Sequence, residues 1–330
     1  MIELYIIVDP CYLNSWLQID AILWIEELAF VLPSTCNANY YDFPCAPFVD
    51  DGCRNTIEHL CLGGCAFHPT AGFGYLRRLH LFCVCITVDE LGCLISKSSA
   101  LEHLTLKYCN MITYLKIPSL LQHLNYLMVS ECTKLQLIEC KAPNLSTFYF
   151  NGGQVKLLFG DLVQVKSMGM YCFDRCNTIY NARANLPSIV PNIETLSISS
   201  VSEVSQTRMK HDSVFGDPSH LRKRREYCHE NIKTVKISGF CSTKSTVELT
   251  CHILENATSL QCLTLDTIDD VDDIGKHVHE TGECNPIGRH MIKEAREALL
   301  AIERYIMKKG PSTVKLNVLE PCRRCHAFAA

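Results

Sequence analysis

A nine-residue pattern that occurs three times decides the fold. It reads IEHLCLGGC at residues 57–65, LEHLTLKYC at residues 101–109 and LNYLMVSEC at residues 124–132. Each copy has aliphatic residues at its first, fourth and sixth positions and a cysteine at its ninth. Residues that alternate in this way along a short strand point their apolar side chains to one side. The pattern therefore predicts a series of short strands, each followed by a turn that accepts a small side chain.

The same apolar triplet continues along the chain without the cysteine. The further triplets are Leu76/Leu79/Leu81, Leu145/Phe148/Phe150, Ile193/Leu196/Ile198, Ile232/Val235/Ile237 and Leu260/Leu263/Leu265, and Ile25/Leu28/Phe30 is an earlier candidate. From Ile57 to Leu145 the triplets start 19, 25, 23 and 21 residues apart, close to the spacing of leucine-rich repeats. One such repeat cannot bury its apolar edge alone, so the repeats must stack. The sequence predicts an α/β leucine-rich-repeat solenoid, curved, with parallel strands on the concave face and irregular helices on the convex face.

Two return segments carry helix-start motifs. Thr87 and Glu90 form a capping box before an apolar run, and Ser245 and Glu248 form a second one. In such a box the first side chain accepts from a backbone N–H and the glutamate reaches back to the first residue. Each motif predicts a short helix that leads into the next strand.

Three segments are predicted along the chain. Residues 1–56 form an N-terminal capping or degenerate repeat region, and residues 57–268 form the solenoid, which is irregular over 162–231. There Leu162/Val165 gives a weak strand with Ser167 in the third slot. Residues 269–330 contain an acidic loop, an amphipathic helix from Asn285 to Lys309 and a terminal strand at Val314, Leu316 and Val318. This last helix and strand close the open end of the solenoid, as a capping unit must.

Composition excludes several classes of protein. The 330 residues are 20% charged with a net charge of −4, whereas nucleic-acid binding needs a basic surface; we expect no nucleic-acid partner. Acidic residues interrupt the apolar N-terminal segment, so we expect no membrane span. No lysine or arginine precedes Arg54, so a basic signal-peptide region is missing and we expect a cytoplasmic or nuclear protein. The 21 cysteines are then free thiols, mostly buried in the repeats.

The C-terminal half resembles a known family. The stretches GFCS at 239–242, VELT at 247–250, ILENATSL at 253–260 and LTLD at 263–266 are similar to the FBD-like region of plant F-box/leucine-rich-repeat proteins, as is VKL at 314–316 before LEPC at 319–322. The resemblance implies a substrate-recognition domain of an SCF-type ubiquitin ligase, in which an F-box recruits a Skp1-like adaptor and the repeats hold the target. No F-box is recognisable before Trp16, which leaves the Skp1-like adaptor as a possible partner only.

The strand positions between the core aliphatic residues should face the concave side and bind a protein target. The residues predicted to do so are His59, Arg78, His80, His103, Tyr126, Met128 and Tyr149. Aromatic residues and arginine are favoured in protein interfaces, and methionine adapts its shape to a partner. The sequence contains no catalytic motif that we recognise, so the leading interpretation is a non-catalytic interaction module without a cofactor or metal. The target protein is not named by the sequence.

One alternative comes from another functional class. Cys322, Cys325 and His326 form a Cys-x-x-Cys-His motif near the C-terminus, which offers up to three zinc ligands. A fourth ligand could come from Cys284, or from Cys228 with His229. The alternative hypothesis is therefore a small zinc-binding or redox protein that uses this motif.

Overall fold

The structure is a computed structural model. It describes residues 2–5, 25–32, 40–45, 56–70, 73–153, 155–160, 164–172, 192–200, 213–215, 229–268 and 289–321. The chain divides into two compact units, Met1–Val165 and Lys166–Ala330.

The first unit is built mainly of short parallel strands. In chain order they are β1 (Ile2–Tyr5), β2 (Glu27–Val31), β3 (Tyr41–Phe43), β4 (His59–Gly63), β5 (Cys65–Phe67), β6 (Arg78–Phe82), then helix α1 (Val88–Lys97), β7 (His103–Lys107), β8 (Tyr114–Ile117), β9 (Tyr126–Ser130), β10 (Leu137–Cys140), β11 (Thr147–Asn151) and β12 (Lys156–Phe159). The main sheet has the order β1-β2-β4-β6-β7-β9-β11. One strand per repeat, all parallel, is the arrangement of a leucine-rich-repeat solenoid, so the predicted fold class is confirmed.

The predicted triplets form the core of this unit. Leu60, Leu79, Leu104, Leu127 and Phe148 occupy the second position of successive strands and are buried. They lie side by side in register across the sheet, and the residues at the fourth position repeat the pattern. The early candidate is confirmed too, because Leu28 and Phe30 are buried on β2, which pairs with β4. Each repeat thus buries its apolar edge against its neighbours.

Four strands of the main sheet are each followed by a residue with left-handed backbone geometry. Gly64, Cys83, Tyr108 and Glu131 follow β4, β6, β7 and β9 and have φ values of 67°, 52°, 56° and 54°. Their N–H groups donate to the carbonyl of the last strand residue in the next repeat, at 2.6–3.0 Å. These bonds turn the four repeats out of the sheet in the same way. Non-glycine residues adopt this geometry at a steric cost, which the repeated hydrogen bond offsets.

The cysteine at the ninth position also bonds across repeats. The Cys109 thiol donates to the Leu81 carbonyl at 3.6 Å, and the Cys132 thiol donates to the Leu106 carbonyl at 3.9 Å. Both side chains are buried. The cysteine therefore fills a small site and satisfies a strand carbonyl of the preceding repeat, which accounts for its recurrence in the sequence.

The return side of the first unit combines a helix with a second sheet. Helix α1 has the predicted capping box, in which the Thr87 side chain accepts from the Glu90 N–H and the Glu90 carboxylate accepts from the Thr87 N–H. The other segments that connect successive strands of the main sheet are extended and contain no helix among the described residues. Strands β8, β10 and β12 form a parallel sheet, and β3 pairs with β5. The second sheet was not predicted, although the sequence contains its signal: Ile112/Leu115/Ile117 and Leu135/Ile138/Cys140 repeat the spacing of the core triplets and are buried.

The second unit repeats the design with longer helices. It contains β13 (Ser167–Cys172), β14 (Thr195–Ser200), β15 (Thr234–Ser238), α2 (Lys244–Asn256), β16 (Cys262–Asp266), α3 (Arg289–Ala301) continued by a π-helical turn at Ile302–Ile306, and β17 (Lys315–Leu319). The strands pair in chain order and are parallel. The predicted terminal helix and strand are thereby confirmed, with β17 at the edge next to β16.

Two local predictions in this unit are wrong. The core triplet near residue 165 is Val165, Met168 and Met170, all buried, and not the expected set that ends at Ser167. Methionine fills the leucine positions there.

Helix α2 begins after Thr243, two residues before the predicted cap at Ser245. The Thr243 side chain makes no capping hydrogen bond to the helix backbone, and its hydroxyl lies 2.9 Å from the Thr246 hydroxyl.

Several predicted features lie outside the described residues. They are most of the irregular segment 201–228, the acidic loop at 269–273, the start of the terminal helix at Asn285 and the Cys322–His326 motif. Among the helices that the structure describes, none has the length and apolar character needed to cross a membrane.

Candidate functional site

The exposed face of the main sheet in the first unit is laid out in three rows. It consists of the first, third and fifth residues of β4, β6, β7, β9 and β11, and we call it the ladder face. The first row is His59, Arg78, His103, Tyr126 and Thr147; the second is Cys61, His80, Thr105, Met128 and Tyr149; the third is Gly63, Phe82, Lys107, Ser130 and Asn151. All seven residues predicted to bind a partner lie in the first two rows. Their role in binding remains a prediction.

Aromatic rings form one side of the ladder face. The His103 imidazole stacks on the Tyr126 ring, with centroids 5.3 Å apart and planes at 22°. The Tyr126 ring then meets the Tyr149 ring at 5.8 Å, and its hydroxyl points to the Met128 sulfur at 3.6 Å. These contacts hold three rings on neighbouring strands in fixed positions. Rings that are already ordered lose little conformational entropy when a partner packs on them.

Histidines and cations form the other side. His59 pairs with the Glu27 carboxylate at 2.8 Å, and Arg78 lies between His59 and His103 in the first row. Burial lowers the pKa of His80, and the positive charges of His103 and Arg78 lower it further, followed by those of His59 and Lys107. Burial and the charge of Arg78 also lower the pKa of His103, against the Glu102 carboxylate, which raises it. The fixed charges within the three rows are those of Arg78 and Lys107, and both are positive.

Carboxylates near this region are already engaged. Arg77, just before β6, contacts Glu102 at 2.9 Å and Glu58 at 3.3 Å. These three side chains lie at the start of the strands, next to the first row. Arg78 and Lys107, in contrast, form no ion pair within the part of the chain that the structure describes. Two fixed positive charges on the ladder face are therefore available to a partner.

An exposed apolar rim borders the third row. The Phe82 ring meets the Tyr108 ring edge-on at 5.4 Å, although both side chains are substantially exposed, at 38% and 45%. Met111 follows with 47% exposure. The sequence analysis missed this rim because it considered only the positions between the core aliphatic residues. The signal was present: both are large aromatic residues at the end of a repeat strand, outside the core triplet.

The corresponding face of the second unit is less distinctive. It carries small polar side chains such as Thr195, Ser197 and Thr264, with Lys236 as a charged residue. The Asn317 amide donates to the Cys262 thiol at 3.3 Å and to the Thr264 hydroxyl at 3.4 Å, so part of this face is hydrogen-bonded within itself. The ladder face of the first unit is the stronger candidate for binding.

The alternative zinc site stays a prediction, because Cys322, Cys325 and His326 lie outside the described residues. Within the described ranges, no group of three or more histidine, cysteine, aspartate or glutamate side chains is arranged to hold a metal ion. Two of the buried thiols are held in the protonated form: burial raises the pKa of Cys65 to about 12 and that of Cys140 to about 11.

Comparison with known proteins gives one result. Residues 2–209 match the family model described as "At1g61320/AtMIF1, LRR domain", and residues 203–323 match the same model again. The two matches together span nearly the whole chain. No curated protein and no solved structure shows significant similarity to it.

Proposed function

The chain belongs to the leucine-rich-repeat domain family of At1g61320/AtMIF1. We propose that it is a non-catalytic module that recognises target proteins and, from the resemblance of its C-terminal stretches to the FBD-like region, that it does so for a plant SCF-type ubiquitin ligase. The target lies on the ladder face. The observation that carries the proposal is the row of ordered rings formed by His103, Tyr126 and Tyr149 on three adjacent strands. Rigid aromatic side chains of this kind supply most of the binding energy in many protein interfaces.

The ubiquitin-ligase part of the proposal is supported by the second unit. The FBD-like stretches lie on a consecutive set of elements, from the turn after β15 through α2 to β16, and the VKL stretch lies at β17. Lys309, after the π-helical turn, contacts Glu255 on α2 at 2.8 Å, so this region is packed as one body. We propose that it closes the repeats in the way that the FBD-like region does in F-box/leucine-rich-repeat proteins.

The proposed location is the cytoplasm or the nucleus, where ubiquitin ligases act on their targets. The described cysteines support this, because all of them are free thiols, including the buried Cys65, Cys109 and Cys132. Free thiols persist in reducing compartments. A fluorescent fusion imaged in plant cells tests it, and signal confined to the secretory pathway would contradict it.

Affinity purification of the tagged chain from plant cells, followed by mass spectrometry, tests the function. We expect a reproducible target protein. Skp1-like and cullin subunits at near-stoichiometric amounts would support recruitment to the ligase. A target without ligase subunits would contradict the ligase role and leave a free-standing binding module, while recovery of chaperones alone would contradict both.

A further inference from the structure

We propose that the histidine and arginine side of the ladder face binds an acidic peptide segment of the partner, with its carboxylates at Arg78 and Lys107. The inference rests on the proposed function, because it specifies the chemistry of the target that the ladder face holds. The residues concerned are Arg78, His80, His103 and Lys107, on the adjacent strands β6 and β7.

The positions of the charged side chains suit an extended acidic segment. Arg78 is paired in register with His103, and Lys107 is paired with Phe82 at the other end of the same two strands. His80 lies midway between these pairs, opposite the buried Thr105. An extended segment that crosses β6 and β7 would therefore meet a cation at each end and an imidazole in the middle.

The charged groups around His80 also favour an acidic ligand. The groups that face His80 are Arg78 on its own strand, His59 and Cys61 on β4, and His103 and Lys107 on β7. The carboxylates nearest to this set are occupied: Glu27 binds His59, and Glu58 and Glu102 bind Arg77. The chain as a whole carries a net charge of −4. Arg78 and Lys107 are therefore two cations on the face without an ion-pair partner among the described residues, and such cations attract an acidic partner and set its orientation.

Aromatic rings lie beside both cations. Lys107 lies beside the exposed rim of Phe82 and Tyr108, and Arg78 lies beside the stacked rings of His103 and Tyr126. A peptide that alternates carboxylates with aromatic side chains could use both. Nucleic acid is the other polyanion to consider, but two fixed cations are few for phosphate neutralisation, which gains affinity with each added contact.

Binding of carboxylates also couples to protonation. The neighbouring positive charges disfavour the imidazolium of His80, and a carboxylate placed among them would favour it. Affinity should therefore rise as the pH falls from about 8 to about 6, across the range in which histidine titrates. A carboxylate site without histidines would bind equally well across that range.

The test uses fluorescence anisotropy with the full chain. The probe is a labelled copolymer of glutamate and tyrosine, and the comparison probe is a copolymer of lysine and tyrosine. We expect the acidic copolymer to bind at least about tenfold more tightly, and Arg78→Gln with Lys107→Gln to weaken it by roughly five- to tenfold. Lys116→Gln with Lys134→Gln removes two exposed lysines of the same unit that lie outside the ladder face and should leave the affinity unchanged.

Three outcomes would overturn the proposal. They are equal binding of the two copolymers, an unchanged affinity in the Arg78→Gln/Lys107→Gln variant, and stronger binding of single-stranded poly(U) RNA than of the acidic copolymer. The proposed function is judged separately. The relevant result is that the target recovered from cells binds the Arg78→Gln/Lys107→Gln variant normally and fails to bind the Tyr126→Ala/Tyr149→Ala variant. That result would show that the ladder face binds a target and that only the proposed acidic character of the bound segment is wrong.

Discussion

The imidazole of His103 lies flat against the ring of Tyr126, with centroids 5.3 Å apart across two adjacent parallel strands. The stacking joins the positively charged side of the ladder face to its aromatic side. It follows from repeat register, since both residues take the first position of their strands. A solenoid therefore aligns side chains that are 23 residues apart in sequence, and each repeat adds one column to the same surface.

The left-handed turns make opposite predictions for two substitutions. At Gly64 an added Cβ would lie 2.6 Å from the Leu32 carbonyl oxygen, so Gly64→Ala should lower the free energy of unfolding by at least about 1 kcal/mol. At Glu131 the φ of 54° strains a side chain that glycine lacks, so Glu131→Gly should raise it by about 0.5–1 kcal/mol. Urea denaturation of both variants measures the two effects. Equal effects of the same sign would contradict this account of the turns.

The buried thiols should resist alkylation in the folded protein. Cys65, Cys109 and Cys140 are fully buried, and burial raises the pKa values of Cys65 and Cys140 to about 12 and about 11. Because the thiolate is the reactive form, iodoacetamide at neutral pH should leave them unmodified while it labels the half-buried Cys93 on α1. Mass spectrometry of digests from native and urea-unfolded protein gives the comparison. Labelling of Cys65 at the rate of Cys93 would show that the repeat core is open.

The histidines of the ladder face should make stability depend on pH. The folded-state pKa values of His80 and His103 lie below the ordinary value of 6.5, so the unfolded chain binds more protons in the range just below that value. Stability therefore falls as the pH falls below about 6.5. Replacing both residues by glutamine should reduce this slope, measured as the melting temperature between about pH 7.5 and pH 5.5. An identical slope in the double variant would contradict the assignment.

The sequence predicted the first unit well because its chemistry is periodic. Triplets such as Leu101, Leu104 and Leu106 determine the strand, its register and its core residues together, and the order of the ladder-face residues follows from them. The prediction failed where the periodicity used another residue type, as at Met168 and Met170, and where a helix began two residues before its motif, as at Thr243. The left-handed residues Cys83, Tyr108 and Glu131 could not be predicted from type, since none is glycine.

Part of the candidate site depended on geometry that a pattern does not contain. The seven predicted residues share one face because they share strand positions. The exposed rim was not predicted because Phe82 and Tyr108 lie after the core triplet, and their contact joins the ends of two neighbouring strands. The sequence does not show which charges pair. In the structure Glu27, Glu58 and Glu102 pair with other residues, so Arg78 and Lys107 have no ion pair among the described residues.

The most direct test of the central claim replaces the two tyrosines that carry the ladder face. Neither Tyr126 nor Tyr149 is fully buried, so Tyr126→Ala with Tyr149→Ala should keep the circular dichroism spectrum and melting behaviour of a folded chain. The matched control is Tyr40→Ala with Tyr75→Ala, two exposed tyrosines of the same unit outside the ladder face. We expect the target purified from plant cells to bind the first variant at least about tenfold more weakly and the control as the wild type does. Unchanged affinity in the folded Tyr126→Ala/Tyr149→Ala variant would contradict the claim that this face holds the target.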